Sequence, residues 1–218
     1  MTFSKEIIAQ FKQISTASVS DAVDQIVGKR GFMDYEVKPQ INNRRIAGPA
    51  VTVKEVHTEE KLPPAHALEA IDESAAGSII VIGLEGSSKD VAVWGGLMTA
   101  GSIANELEGA ILDAGVRDIT EIKRDFDFPV FARSVSPATT VGRYKTEALN
   151  VPIECGGITV NPGDLIVADP DGVVVVPAHA VMEVLEVAQE IEVREAEQAK
   201  LILSEKSLRK GIERFNRI

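Results

Sequence analysis

The sequence predicts an α/β protein in which a parallel, helix-flanked sheet packs on a second, mostly β layer. Three observations predict it. Apolar runs alternate with amphipathic stretches at short spacing between residues 46 and 135, the pattern of a parallel sheet with helical crossovers. After residue 136 the texture changes to short runs of Val, Thr, Pro and Gly with tight-turn signals. From Ala178 onward the chain reads as helix.

The elements follow in order. Ile7, Ile8, Phe11 and Ile14 repeat at the helical period and predict a first helix. A second begins near Ser18 or Ser20, with Ala22, Val23 and Ile26 on one face, a capping box of Ser18 with Asp21, and Gly28 as its stop. Residues 46–56 read as a strand after a Gly-Pro turn, and 62–75 as a helix starting on Pro63 and Pro64. Ser78 to Gly83 is a continuous apolar run, as in a strand buried on both faces. A Gly- and Ser-rich loop covers 84–94, then a helix from Gly96 to Glu108 and a short strand at Ala110 to Leu112. A short helix at Ile119 to Lys123 and a strand at Pro129 to Val135 complete this layer. Several short strands fill Val151 to Pro177, with turns at "NPGD" and "DPDG". In the tail, Val181, Val184, Leu185, Ala188 and Ile191 form one apolar stripe, and Leu201, Leu208, Ile212 and Phe215 another. The expected organisation is one domain over 1–177 and a helical extension over 178–218. That extension packs either on its own core or on a neighbouring subunit.

Composition narrows the function classes. The chain has 218 residues, 23 Lys plus Arg against 33 Asp plus Glu, and a net charge of −10. That balance speaks against nucleic acid as a partner, because phosphate binding rests on Lys and Arg. One cysteine, Cys155, makes no intramolecular disulfide, and one Cys with three His makes no zinc cluster. Met1 to Gln13 lacks the apolar core of a signal peptide, and no stretch approaches the roughly 20 apolar residues of a spanning helix. A cytoplasmic location, away from membranes, is the expectation.

Two short segments carry candidate chemistry. Gly95 and Gly96 open a predicted helix, whose first N–H groups are unpaired and whose dipole is positive there. The backbone of Gly95, Gly96, Leu97 and Met98 therefore suits a carboxylate or phosphate, although a plain glycine turn is the better reading of the segment alone. Arg117 and Asp118 follow an apolar strand, at the end of a parallel sheet where ligands gather. They offer a guanidinium for a carboxylate or enolate and a hard oxygen for a divalent metal. A surface ion pair beside a helix is the plainer alternative. Asp169 and Asp171 read as turn-shaping residues, His57, His66 and His179 as structural or surface groups, and Cys155 as an inert thiol. No G-x-S-x-G elbow supports a serine hydrolase.

Four segments in order carry a family resemblance. "SVSDAVD" (18–24), "IAGPAVTV" (46–53), "VAVWGGLMTAGSIANELEGAILDAGVRD" (91–118) and "VPIECGGITVNPGDLIVADPDGVVVVP" (151–177) resemble the RraA-like family. That family includes the regulator of ribonuclease activity A and class II 4-hydroxy-4-methyl-2-oxoglutarate/4-carboxy-4-hydroxy-2-oxoadipate aldolases. The resemblance covers roughly residues 15–180. It implies a layered α/β/β/α swivelling fold, like the phosphohistidine domain, assembled as homotrimers or homohexamers with active sites between subunits. It further implies that Asp118 binds Mg²⁺ or Mn²⁺, that Arg117 contacts the oxo oxygen of a pyruvyl group, and that the amides of Gly95 to Met98 hold its carboxylate. The implied activity is metal-dependent cleavage of a small 2-oxo acid, by retro-aldol reaction or oxaloacetate decarboxylation, through a pyruvate enolate. The alternative it implies is a non-enzymatic regulator that binds a ribonuclease or other protein. One departure stands out: the aldolases carry an acidic residue 21 positions before the Arg, and 117 − 21 is Gly96 here. Glu85, Asp169 and Asp171 are the candidates for a replacement carboxylate.

Overall fold

The computed structural model describes residues 3–86 and 88–215. Two helices come first, α1 (Lys5–Phe11) and α2 (Thr16–Val27), then β1 (Lys38–Pro39) and β2 (Ile46–His57). The predicted alternation follows as α3 (Ala65–Glu73), β3 (Ile79–Leu84), β4 (Ala92–Trp94), α4 (Gly96–Ala104), β5 (Gly109–Val116), α5 (Ile119–Asp125) and β6 (Val130–Val135). The β-rich part supplies β7 (Tyr144–Leu149), β8 (Ile153–Cys155), β9 (Ile158–Val160), β10 (Leu165–Asp169) and β11 (Gly172–Val176). A single 3₁₀ turn at Ala178–Ala180 leads into α6 (Val181–Glu205) and α7 (Leu208–Phe215).

The twelve-residue β2 joins the two halves. Ile46 to Pro49 pair antiparallel with β10, and Ala50 to Glu55 pair parallel with β3. Val53 to His57 pair antiparallel with β7 on the other side. Gly48 and Pro49 thus lie inside the strand and not in a turn before it. Pro49 falls where the strand changes partner, so its missing N–H interrupts the ladder least. The remaining order is β1-β6-β5-β3-β2-β10-β11, with β3, β5 and β6 parallel. Met33 N donates to Val173 O and Val175 N to Gly31 O, so the segment before β1 runs along β11 and nearly closes the sheet.

Side-chain alternation along these strands builds three cores. Ile80, Ile82, Leu112 and Val130 face outward under α3 and α5. Ile79, Val81, Ile111 and Phe131 face inward, against Ile166, Ala168, Val173 and Val175 of β10 and β11. The outer faces of β10 and β11 pack Leu165, Val167, Val174 and Val176 against α1, α2 and the first half of α6. The layers run helix, strands, strands, helix.

One guanidinium cross-links the inner layer. Arg133, on β6, donates to Asp113 on β5 (2.6 Å), Glu36 (3.0 Å) and Asp34 (2.9 Å). Asp113 Oδ1 also accepts from Gly156 N (3.0 Å), at the β8–β9 turn. Burial pushes the Asp113 carboxyl up, while Gly156 N–H and Arg133 pull it back.

Several boundaries differ from expectation. Ser15, and not Ser18, caps α2: its hydroxyl accepts from Ser18 N (3.2 Å), so no Ser18–Asp21 box forms. Ile14 is buried but lies between the first two helices. The 84–94 loop contains β4, and α4 stops at Ala104 because Glu106 turns left-handed (φ 55°). The strand expected at 110–112 spans Gly109–Val116, buried at all eight positions. Asp113 interrupts the apolar run in sequence but is neutralised in space. The helical tail breaks at Lys206, which is left-handed, and α7 folds back with Gly211 against Ile202. Among the described residues, no helix is long and apolar enough to cross a membrane.

Glu55, in β2, is fully buried, and neither carboxylate oxygen has a hydrogen-bond partner. Burial raises its pKa from 4.5 to about 8. The folded chain therefore keeps a proton that the unfolded chain releases. This contribution is fully present below pH 4.5 and is lost as pH rises to about 8, by at most about 1.4 kcal/mol per pH unit. Glu55→Gln is expected to flatten the decline and to melt above the wild type at pH 9. Thermal unfolding at pH 5, 7 and 9 checks this; an unchanged slope would assign the decline to other groups.

Candidate active site

β4 and β5 run in parallel and end together, with Trp94 beside Val116. Arg117 N donates to Trp94 O (3.0 Å), fixing the two chain exits against each other. From one exit Gly95 leads extended into α4. From the other, Arg117 and Asp118 lead into α5. Asp118 is left-handed (φ 60°, ψ 34°), a conformation that Asp tolerates better than most side chains. It stands at the N-cap of α5 without capping it. Its Oδ2 instead accepts from Gly96 N (2.9 Å), the first N–H of α4. Arg117 Nε lies 3.7 Å from the same oxygen.

This contact requires Gly95. A Cβ there would sit 2.6 Å from Asp118 Oδ2 and 3.2 Å from Arg117 Cγ and Nε. Gly96 is different: a Cβ there would meet Asp118 only at 3.6 and 3.8 Å, an ordinary contact. A side chain could therefore begin at Gly96 without a clash.

Around this corner lies a cleft of about 310 Å³. Its lining brings together Gly95, Gly96, Leu97, Met98, Arg117 and Asp118, all six site residues expected from sequence. Pro63, Pro64 and Leu68 form one wall, and Thr139, Thr140 and Val141 another. Sequence reasoning missed these walls, whose only signal was that both loops leave the same end of the sheet. Gly96 N–H is engaged by Asp118, which leaves Leu97 and Met98 as the other first-turn N–H groups of α4 that have no intrahelical acceptor. The Leu97 side chain points outward and is 91% exposed.

The chemistry available is one cation, one anion and a helix N-terminus. Asp118 is the only carboxylate lining the cleft among the described residues, and no cluster of three or more His, Cys, Asp and Glu side chains is gathered for a metal. Its Oδ1 has no protein hydrogen bond among those residues, and the side chain is 42% exposed. Such a donor can take a hydrated divalent cation, since Mg²⁺ needs one or two protein carboxylates and keeps several waters.

The other candidates lie elsewhere. Asp169 accepts from Thr16 Oγ1 (2.6 Å), Thr16 N, Asp171 N and Arg45 Nε, so it anchors α2 and shapes the β10–β11 turn. Burial alone would raise its pKa, but these donors hold it below the usual range. Glu85 lines a separate cavity with Lys54 and Glu154. His57 packs edge-on against Tyr144, and His66 pairs with Glu69 (3.2 Å) on the surface of α3. Cys155 is fully buried, and burial pushes its thiol well up, which suits an inert group.

Comparison with known proteins gives this corner a context. The RraA-like family, described as Aldolase/RraA, matches residues 16–175. The chain belongs to the RraA-like family. Among its relatives is a Halalkalibacterium halodurans protein named "Putative 4-hydroxy-4-methyl-2-oxoglutarate aldolase", 34% identical over 187 residues, covering 84% of this chain and 82% of the relative. Protein DlpA of Legionella pneumophila is 32% identical over 180 residues, 82% of this chain, but the match spans only 29% of DlpA. A solved structure of an uncharacterized protein from Pseudomonas syringae pv. tomato superposes with a TM-score of 0.85 at 31% identity, covering 97% of this chain and 94% of that one.

The two glycines of this RraA-like corner are expected to behave differently. Gly95→Ala should cost about 1–3 kcal/mol, because a methyl is forced onto Asp118 and Arg117. Gly96→Ala should stay within about 1 kcal/mol of wild type, since Ala favours a helix. Denaturant unfolding of both variants checks the pair; equal costs would contradict the close approach at Gly95.

Proposed function

We propose that this RraA-like protein is a lyase that cleaves small 2-oxo acids with the help of Mg²⁺ or Mn²⁺, by retro-aldol reaction, oxaloacetate decarboxylation or both. The observation that carries the proposal is the convergence of Arg117, Asp118 and the N-terminus of α4 in one cleft. A 2-oxo acid is matched group by group. Its carboxylate faces the N–H groups of Leu97 and Met98 at the positive end of the helix dipole. Its oxo oxygen faces the Arg117 guanidinium. Breaking the bond between C3 and its substituent sends the electron pair towards C2 and its oxygen, while the substituent leaves as carbon dioxide or, with its hydroxyl proton passing to solvent, as a carbonyl compound. Arg117 offers positive charge where the enolate oxygen develops, the kind of preorganised electrostatics that lowers such barriers. A divalent cation held by Asp118 would act as a Lewis acid on the same oxygen. No second carboxylate faces the reacting carbon from this chain's described residues, so the proton that converts the enolate into pyruvate comes from solvent.

Assembly as a homotrimer or homohexamer belongs to the same proposal. Leu97, Leu68 and Val141 leave an exposed apolar rim around the cleft, which a neighbouring subunit would cover. The regulator reading has weaker support. A protein-binding surface gives no reason for a left-handed Asp118 whose carboxylate turns away from its own helix.

Pyruvate release from oxaloacetate tests the proposal. The wild type with Mg²⁺ should be active, and EDTA should abolish the activity. Arg117→Ala and Asp118→Ala should each lower it by about a hundredfold or more. Equal rates in all four conditions would contradict it.

A further inference from the structure

The peptide linking Gly95 to Gly96 has glycine on both sides, so side-chain sterics do little to fix its plane. Its orientation still matters, because its N–H is the group that meets Asp118 Oδ2 at 2.9 Å. The carbonyl of the same peptide, Gly95 O, is held from the opposite side by two donors of one residue. Thr99 N donates to it at 3.1 Å and Thr99 Oγ1 at 3.1 Å. The Thr99 hydroxyl is itself fixed, since it accepts from Trp94 Nε1 at 2.9 Å. Trp94 and Thr99 are both essentially fully buried, and the indole lies nearly parallel to the Phe128 ring at 6.3 Å.

We propose that Thr99, held by Trp94, is a positioning residue for the cleft: through the Gly95–Gly96 peptide it sets the direction of the Asp118 carboxylate. The path is continuous. The core fixes the indole, the indole fixes the hydroxyl, the hydroxyl fixes a carbonyl, and the far side of that peptide presents its N–H to Asp118. Occupying Oδ2 in this way leaves Oδ1 as the oxygen without a protein hydrogen bond among the described residues. Thr99 touches neither substrate nor cation, and its backbone N–H alone would satisfy the carbonyl. The hydroxyl is the part that ties the peptide to the core. The consequence for cation binding rests on the lyase reading above, whereas the link from Thr99 to Gly96 does not.

The test compares the full-length wild type with Thr99→Val, Thr99→Ser, Trp94→Phe and Asp118→Ala. The first readout is the Gly96 amide in ¹H–¹⁵N NMR, by shift and by hydrogen exchange. In the wild type it should be protected and shifted by the carboxylate. In Thr99→Val and, more weakly, in Trp94→Phe it should move towards its position in Asp118→Ala, while Thr99→Ser should restore it. The chain has one Trp, so its single indole N–H signal reports whether the hydroxyl is engaged in the two Thr99 variants and in Asp118→Ala. The second readout is Mn²⁺ affinity by electron paramagnetic resonance. It should weaken about tenfold in Thr99→Val, the scale of one lost hydrogen bond, and stay within about twofold in Thr99→Ser. A Gly96 amide that is unchanged in folded Thr99→Val, or in Trp94→Phe should the valine variant not fold, would overturn the inference. Absence of Mn²⁺ binding and of pyruvate release in the wild type would overturn the lyase reading alone, and the Gly96 amide would still decide the role of Thr99.

Discussion

The Arg133 guanidinium is the interaction on which the rest of the molecule depends. It sits in the inner layer and binds three carboxylates, Asp113, Glu36 and Asp34. They come from two parts of the closure: Asp113 from the central strand β5, and Asp34 and Glu36 from the segment that closes the sheet between β11 and β1. Asp113 extends the link to the β8–β9 turn through Gly156, and Glu36 extends it to Lys89 ahead of β4. A buried charge left without a partner costs several kcal/mol, so these segments hold together or fail together. The chain passes directly from this locked strand to Arg117 and Asp118. The strand that delivers the site is buried at all eight positions and tied through Asp113 to Arg133.

At the end of that strand the constraint becomes one of space. Gly95 lets the main chain lie against Asp118, and the left-handed turn at Asp118 sends its carboxylate across to α4. A positive helix end and a guanidinium flank that carboxylate. The chain as a whole carries a charge of −10, yet the proposed ligand is an anion. In the proposed reading recognition is local: it rests on a few oriented N–H groups, Arg117 and a cation at Asp118, and not on the overall balance.

Much of this was legible in the sequence, for definite reasons. The 3.6-residue period located most helices and continuous apolar runs located the buried strands, because a helix buries one face and a central strand both. Arg117, Asp118 and the Gly95–Met98 turn were recognisable because their residue types carry chemistry and because the first two follow an apolar strand while the glycines open a helix. What escaped was long-range. Asp113 shortened the expected β5, since its partner Arg133 is twenty residues away. Gly48 and Pro49 suggested a turn, because nothing local reveals that β2 changes partners there. Ser18 suggested a cap, whereas the start of α2 is set by Glu192 and Asp169, which accept from Ser15 N and Thr16 N. The cleft walls at Pro63–Leu68 and Thr139–Val141 come together only once the sheet has formed, and Thr99 reads simply as a helical residue until its two hydrogen bonds are seen.

In the proposed reading Asp118 and the α4 N-terminus form one cation-dependent site for a 2-oxo acid. Calorimetric titration with oxalate, a planar mimic of the pyruvate enolate, tests it most directly. The account predicts that oxalate binds the wild type only with Mg²⁺ or Mn²⁺ present and that Asp118→Asn abolishes this binding. Oxalate binding of equal strength without the cation, or in Asp118→Asn, would contradict it.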